Sequence, residues 1–111
     1  MSQVWEILVP TLHRDGKPIR LRFHKVWDEK VRAISGGLTV LPPAKGQWLS
    51  PSGTLFAERM IPVRISCSEE KMHHIADMTL VYYDQEAVFY YLVTEKVFIK
   101  HRSDDASTAV R

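Results

Sequence analysis

His73 and His74 stand side by side in E-E-K-M-H-H-I-A-D, with Glu70 four residues before His74 and Asp77 four residues after His73. Imidazole is the commonest protein ligand for transition metals, and i,i+4 spacing on a helix puts each His–carboxylate pair on one face. Each pair supplies only two ligands, however, where a zinc site takes three or four, and neighbouring helical residues diverge by about 100°. The expected reading is a solvated polar helix face and no metal. Proton transfer is the second chemistry available. Glu58 lies in L-F-A-E-R-M-I, and a carboxylate kept partly out of water under a helix would have the raised pKa of a general base, with His24, His73 or His74 as its partner. Pairing of Glu58 with Arg59 or Arg64 would remove that chemistry and is the simpler expectation.

Three further features bear on binding. Arg14, Lys17, Arg20, Arg22, His24 and Lys25 crowd one stretch in which Asp15 is the only acid, a pattern that can meet an anion or a nucleic acid. A net charge of only +2 and the lack of interleaved exposed aromatics argue against nucleic acid. Trp48, Tyr90 and Tyr91 are large enough to line a ligand cleft, with Glu58 as its oriented polar group. Cys67 stands alone and in phase with Ile65 and Val63, so it reads as a core residue rather than a nucleophile. No Ser-His-Asp order, G-x-x-x-x-G-K loop or paired-carboxylate spacing occurs, and no cofactor is implied.

These residues must be held by elements that the hydrophobic period defines. V-W-E-I-L-V-P-T-L, residues 4–12, reads as a strand ending at the turn signal R-D-G-K-P. Over residues 18–34 the period becomes helical, with Phe23, Val26, Trp27, Val31 and Ile34 on one side and Gly36 and Gly37 as the stop. Residues 38–49 and 54–67 form two extended runs joined by S-P-S-G, a long hairpin. Ser66 or Ser68 caps a second helix that runs to about Tyr83. A-V-F-Y-Y-L-V, residues 87–93, is the last strand, prolonged by V-F-I-K.

The order β-α-β-β-α-β is that of an α+β, ferredoxin-like plait, an antiparallel sheet with two helices on one face. Its usual strand order places Pro42 and Pro43 on an edge and Pro62 in a central strand, where a bulge or an early departure from the sheet is expected. The first and last strands are apolar on both sides, Val4 and Leu8 as well as Trp5, Ile7 and Val9, although helices cover one face only. The second face therefore needs a cover, and another copy of the chain is the economical one.

At 111 residues, 45% apolar and 25% charged, the chain is expected to form one domain over residues 1–100 with a disordered tail at 101–111. The start M-S-Q-V-W-E carries no signal-peptide pattern and no run approaches a membrane span, so a soluble cytoplasmic protein is expected.

G-G-L-T-V followed by G-Q-W, then G-T-L-F-A-E, then a helix ending in L-V-Y-Y-D-Q-E-A-V-F-Y resembles a family of small uncharacterised bacterial proteins. The matching positions are Gly37, Leu38, Thr39, Gly46, Trp48, Gly53, Glu58, Tyr83, Gln85 and Val88, within residues 34–93. Ile34-Ser35-Gly36 stands where that family tends to have Phe-Pro. The resemblance implies the plait fold and transfers no catalytic role. The function expected is a self-associating ligand-binding or interaction module, most simply a dimer through the sheet face. The alternatives are a small dimeric plait enzyme moving a proton with Glu58 and a histidine, and an anion or nucleic-acid binder using the basic stretch from Arg14 to Lys25.

Overall fold

Alternation along V-W-E-I-L-V decides how the first strand faces: in β1 (Gln3–Pro10) Trp5, Ile7 and Val9 are buried against the helices, and Val4, Glu6 and Leu8 turn the other way. The computed structural model describes residues 2–102. After β1 come α1 (Leu21–Ser35), β2 (Thr39–Val40), β3 (Ala44–Leu49), β4 (Leu55–Cys67), α2 (Glu69–Tyr82) and β5 (Tyr90–Thr94). The sheet order is β2-β4-β1-β5, antiparallel throughout, with β3 pairing β4 farther along. This is the expected ferredoxin-like plait. The disordered tail foreseen for residues 101–111 lies, from 103 onward, outside the described residues.

Two helices close one face. Trp27 and Val31 of α1 and Met72 and Ile75 of α2 pack on Ile7, Val9, Val63 and Ile65, and Ala76 of α2 is also buried. Trp27 also joins the helices by a polar contact: its indole N–H donates to Thr79 Oγ1 at 3.0 Å, and the Thr79 hydroxyl donates to the Ile75 carbonyl. Both groups are thereby satisfied where water is excluded. Gly36 ends α1 at φ 91°, its N–H reaching the Arg32 carbonyl at 2.8 Å, a left-handed cap that glycine adopts without strain. Of the two serines considered, Ser68 is the cap of α2, its Oγ accepting from the Lys71 N–H at 3.3 Å, with Glu69 and Glu70 in the first turn. Ser68→Ala is expected to lower stability by about 1 kcal/mol, read as a shift in the denaturation midpoint.

The expected second strand is split, and Pro62 explains where. The β1–β4 register runs without a break through Leu8↔Pro62, so the bulge expected at Pro62 is absent. Val40 pairs with Val63 and Ala44 with Met60, so three residues, 41–43, span the length of two, 61 and 62. The irregularity sits on the facing strand. Pro62 accepts from the Leu41 N–H at 2.9 Å, and its missing N–H falls opposite Pro42 and Pro43, where no ladder bond is made.

β1 stops at Pro10, opposite Met60. Beyond it residues 55–59 pair with β3 alone, and this two-stranded hairpin projects as an arm. Trp48 stacks on Phe56 across the arm, ring centroids 4.5 Å apart and 15° from parallel. Thr11 Oγ1 donates to the Arg59 carbonyl at 2.9 Å and ties the arm at its root. β5 begins at Tyr90, later than the sequence suggested, and its register shifts between Val4 and Trp5. V-F-I-K does not prolong it.

Candidate functional site

The sheet face away from the helices carries a charged cluster on apolar ground. Glu6 follows from strand alternation, since it shares a face with Val4 and Leu8. Register then sets Arg64 and Tyr91 on either side of it, as Glu6↔Arg64 and Glu6↔Tyr91. Arg64 Nε donates to Glu6 Oε1 at 3.0 Å, and the Tyr91 hydroxyl donates to Glu6 Oε2. Both carboxylate oxygens are thus used, and the Glu6 side chain is 10% exposed while that of Arg64 is 48% exposed. A carboxylate this buried is stable only with partners on both oxygens. Around it Phe89 packs edge-on to Tyr91, centroids 5.7 Å apart, and both rings remain open to solvent.

The helix layer holds two further polar arrangements. His24 Nδ1 and the Tyr83 hydroxyl are 2.7 Å apart, beside Trp27 and Asp28. Burial, with Tyr82 and Asp28 adding to it, pushes the Tyr83 phenol far above its usual range. Burial also lowers the His24 pKa, against the pull of Asp28 and with a small push from His13. The pair fits a protonated Tyr83 donating to a neutral imidazole. The second arrangement is a chain on the rim, with His73 Nδ1 2.7 Å from the Tyr90 hydroxyl and Nε2 3.5 Å from Glu69 Oε2.

A pH dependence follows from His24. Its folded pKa lies below the unfolded value, so as pH falls through about 6.5 the unfolded chain takes up the proton first and stability declines. Burial raises the Asp28 pKa, outweighing His24, Arg32 and Lys25, and this acts in the opposite sense at the carboxylate end of the scale. Denaturant melts are expected to show stability dropping between about pH 7 and about pH 5.5, and His24→Gln is expected to flatten that slope. An unchanged slope in the variant would assign the dependence elsewhere.

The residues singled out from sequence do not gather in one place. Glu58 faces Gly46 on the arm, exposed, outside the cover of α2, and its side chain makes no hydrogen bond or ion pair among the described residues. Register could not reveal this, because it depends on where β1 ends. His24 and His73 bond to tyrosines instead, and His74 is exposed on α2. Tyr90 and Tyr91, adjacent in a strand, face opposite sides, so they do not line one cleft. Trp48 is half exposed on the arm against Phe56. Cys67 is buried in the core, where desolvation raises its thiol pKa in spite of Lys71. Sequence reasoning missed the Glu6 cluster. Its signal was a lone carboxylate inside an apolar strand, in phase with the face that needed a cover.

No family model matches the chain, and no curated protein matches it. Solved structures do. The divalent cation tolerance protein Cut A1 of Thermus thermophilus superposes with a TM-score of 0.66 at 8% identity, over 92% of this chain and 89% of that one. The periplasmic divalent cation tolerance protein CutA of Archaeoglobus fulgidus gives 0.67 at 12% identity, covering 100% of each chain. A phage SAM lyase in complex with S-methyl-5'-thioadenosine gives 0.59 at 16% identity, over 88% and 93%. At such identities the likeness establishes the fold. These structures share the expected plait, and no family model supports the resemblance that the G-L-T-V pattern suggests. No helix among the described residues is long and apolar enough to cross a membrane.

Proposed function

We propose that the protein is a self-associating plait module, in which copies pack through the sheet face that carries Glu6, Arg64 and Tyr91, and which serves interaction and ligand binding rather than turnover. The observation that carries this reading is the open face itself: Phe89 is 65% and Tyr91 40% exposed beside the nearly buried Glu6 carboxylate. A monomer gains nothing from exposing aromatic rings there, whereas a second copy removes them from water. The arm adds Leu49 and Leu55 at its tip, both exposed. A two-fold dimer is the simplest closed arrangement, because one self-complementary patch then serves both copies.

Cation tolerance belongs to the names of the CutA proteins, and a resident cation site is not part of this reading. Among the described residues no three His, Cys, Asp or Glu side chains converge into a ligand set. A proton-transfer enzyme built on Glu58 has less support, since Glu58 and the histidines lie on separate elements without mutual hydrogen bonds. Light scattering on the full chain at micromolar concentration is expected to give a mass of at least two copies. A monomeric mass of 12.8 kDa would overturn the proposal.

A further inference from the structure

On the helix layer, away from the open sheet face, the β1–α1 connection and the two helices surround a cleft of about 380 Å³ lined by His13, Lys17, Arg20, Arg22, Phe23 and Tyr82. Its floor is aromatic and fixed. The Phe23 and Tyr82 rings lie 4.4 Å apart at 34°, the Tyr82 hydroxyl donates to the Phe23 carbonyl at 2.7 Å, and His13 meets Phe23 edge-on at 5.4 Å. Its wall is cationic and unneutralised. Arg14 outside the cleft pairs with Glu86 at 3.1 Å and Asp84 at 3.8 Å, but the side chains of Lys17, Arg20 and Arg22 meet no carboxylate among the described residues. Asp15, next to them in sequence, is turned back to accept from the Lys17 backbone N–H at 3.0 Å. The first turn of α1 has no acid either, so among the described residues nothing of opposite charge competes for the wall.

We infer that this cleft binds a small ligand with an anionic group at one end and a planar ring at the other, the chemistry of a nucleoside monophosphate. The phosphate meets Lys17, Arg20 and Arg22, which donate charge-assisted hydrogen bonds, and the ring lies against the aromatic floor of Phe23 and Tyr82. The volume falls in the range of small-molecule pockets. A nucleic-acid strand is the poorer fit, because it requires cations and aromatics repeated along a groove, and here they form one group. The inference does not rest on self-association, since it uses the opposite layer.

Amide shift titrations of the full chain test it, with adenosine monophosphate as the probe and adenosine and inorganic phosphate as its separate parts. Shifts are expected at His13, Phe23, Val26 and Tyr82, with the monophosphate binding at least about tenfold more tightly than either part. Arg20→Ala and Arg22→Ala, both at exposed positions, are each expected to weaken the monophosphate on the order of tenfold and to leave the adenosine response unchanged. Val26 also lines the cleft, and Val26→Trp, which fills it and keeps its charges, is expected to abolish binding; if that variant does not fold, the arginine variants decide. The inference is overturned by no response to the monophosphate at millimolar concentration, or by inorganic phosphate binding as tightly. It is also overturned if a mixed-sequence oligonucleotide binds where the monophosphate does not, which would assign the cluster to nucleic acid. Light scattering on the same samples keeps this outcome separate from the fate of the assembly.

Discussion

Phe89→Glu and Tyr91→Glu, each made alone, are expected to convert the assembly to monomers while the far-ultraviolet circular dichroism stays that of the native fold. Phe89 is 65% exposed in the single chain, so a carboxylate there is solvated in the monomer and the fold loses little. In a packed sheet face the same carboxylate would have to shed its water, at a cost of several kcal/mol for each copy. Since about 1.4 kcal/mol is a factor of ten in the dissociation constant, one substitution is enough to dissociate a micromolar complex. Tyr91→Glu acts twice, because it removes the hydroxyl donor from Glu6 and sets a second carboxylate against the first. Tyr90→Glu is the control. Tyr90 faces the helices and bonds His73, so that change is expected to weaken the fold without acting on the sheet face. Assembly that survives both Phe89→Glu and Tyr91→Glu would remove the open face as the contact.

Trp27→Ala is expected to cost about 3–5 kcal/mol of stability, the largest loss of any single truncation in the core. The side chain is 1% exposed and spans the seam between α1 and α2. Its removal leaves a cavity too deep for the helices to collapse around, and strips Thr79 Oγ1 of its donor. A domain of this size has about 5–15 kcal/mol in total, so the variant is expected to be partly unfolded at about 37 °C. Trp27→Phe keeps most of the volume and loses the hydrogen bond, so the difference between the two variants separates packing from polar contact. A loss below about 1 kcal/mol for the alanine variant would mean that α1 is not docked through Trp27.

The elements were legible because their periods are clean. Alternation fixed Ile61, Val63, Ile65 and Cys67 as a core face, and helical spacing placed Trp27 and Val31 beneath α1. The pairing of glycine with helix ends and of S-P-S-G with a hairpin turn also held, with Ser50 and Thr54 closing that turn by a 2.9 Å backbone bond. What the sequence could not convey was the distance each strand travels beside its neighbours. Glu58 belongs to the same run as Ile65, yet β1 accompanies only the second half of that run. The first half, with Glu58, therefore stands outside the core. The same ignorance of register hid the Glu6 cluster, whose members are 58 and 85 residues apart, and the contact of His24 with Tyr83. Pro62 was read as a defect of its own strand, whereas the facing strand absorbed it.

Pro10, Pro42, Pro43 and Pro62 all fall at the root of the arm, where the ladder between β4 and its β2–β3 neighbour lapses while that with β1 continues. A two-stranded ribbon is stiff along its length where every residue pair is bonded, and bends where the bonds lapse. The lapse is confined to the β2–β3 side, at residues 41–43, because β4 runs on beside β1 through residues 61 and 62 and Thr11 ties the arm at its root. Arg64 sits two residues beyond Pro62 on the same strand, so the root of the arm and the ion pair at Glu6 share one length of backbone.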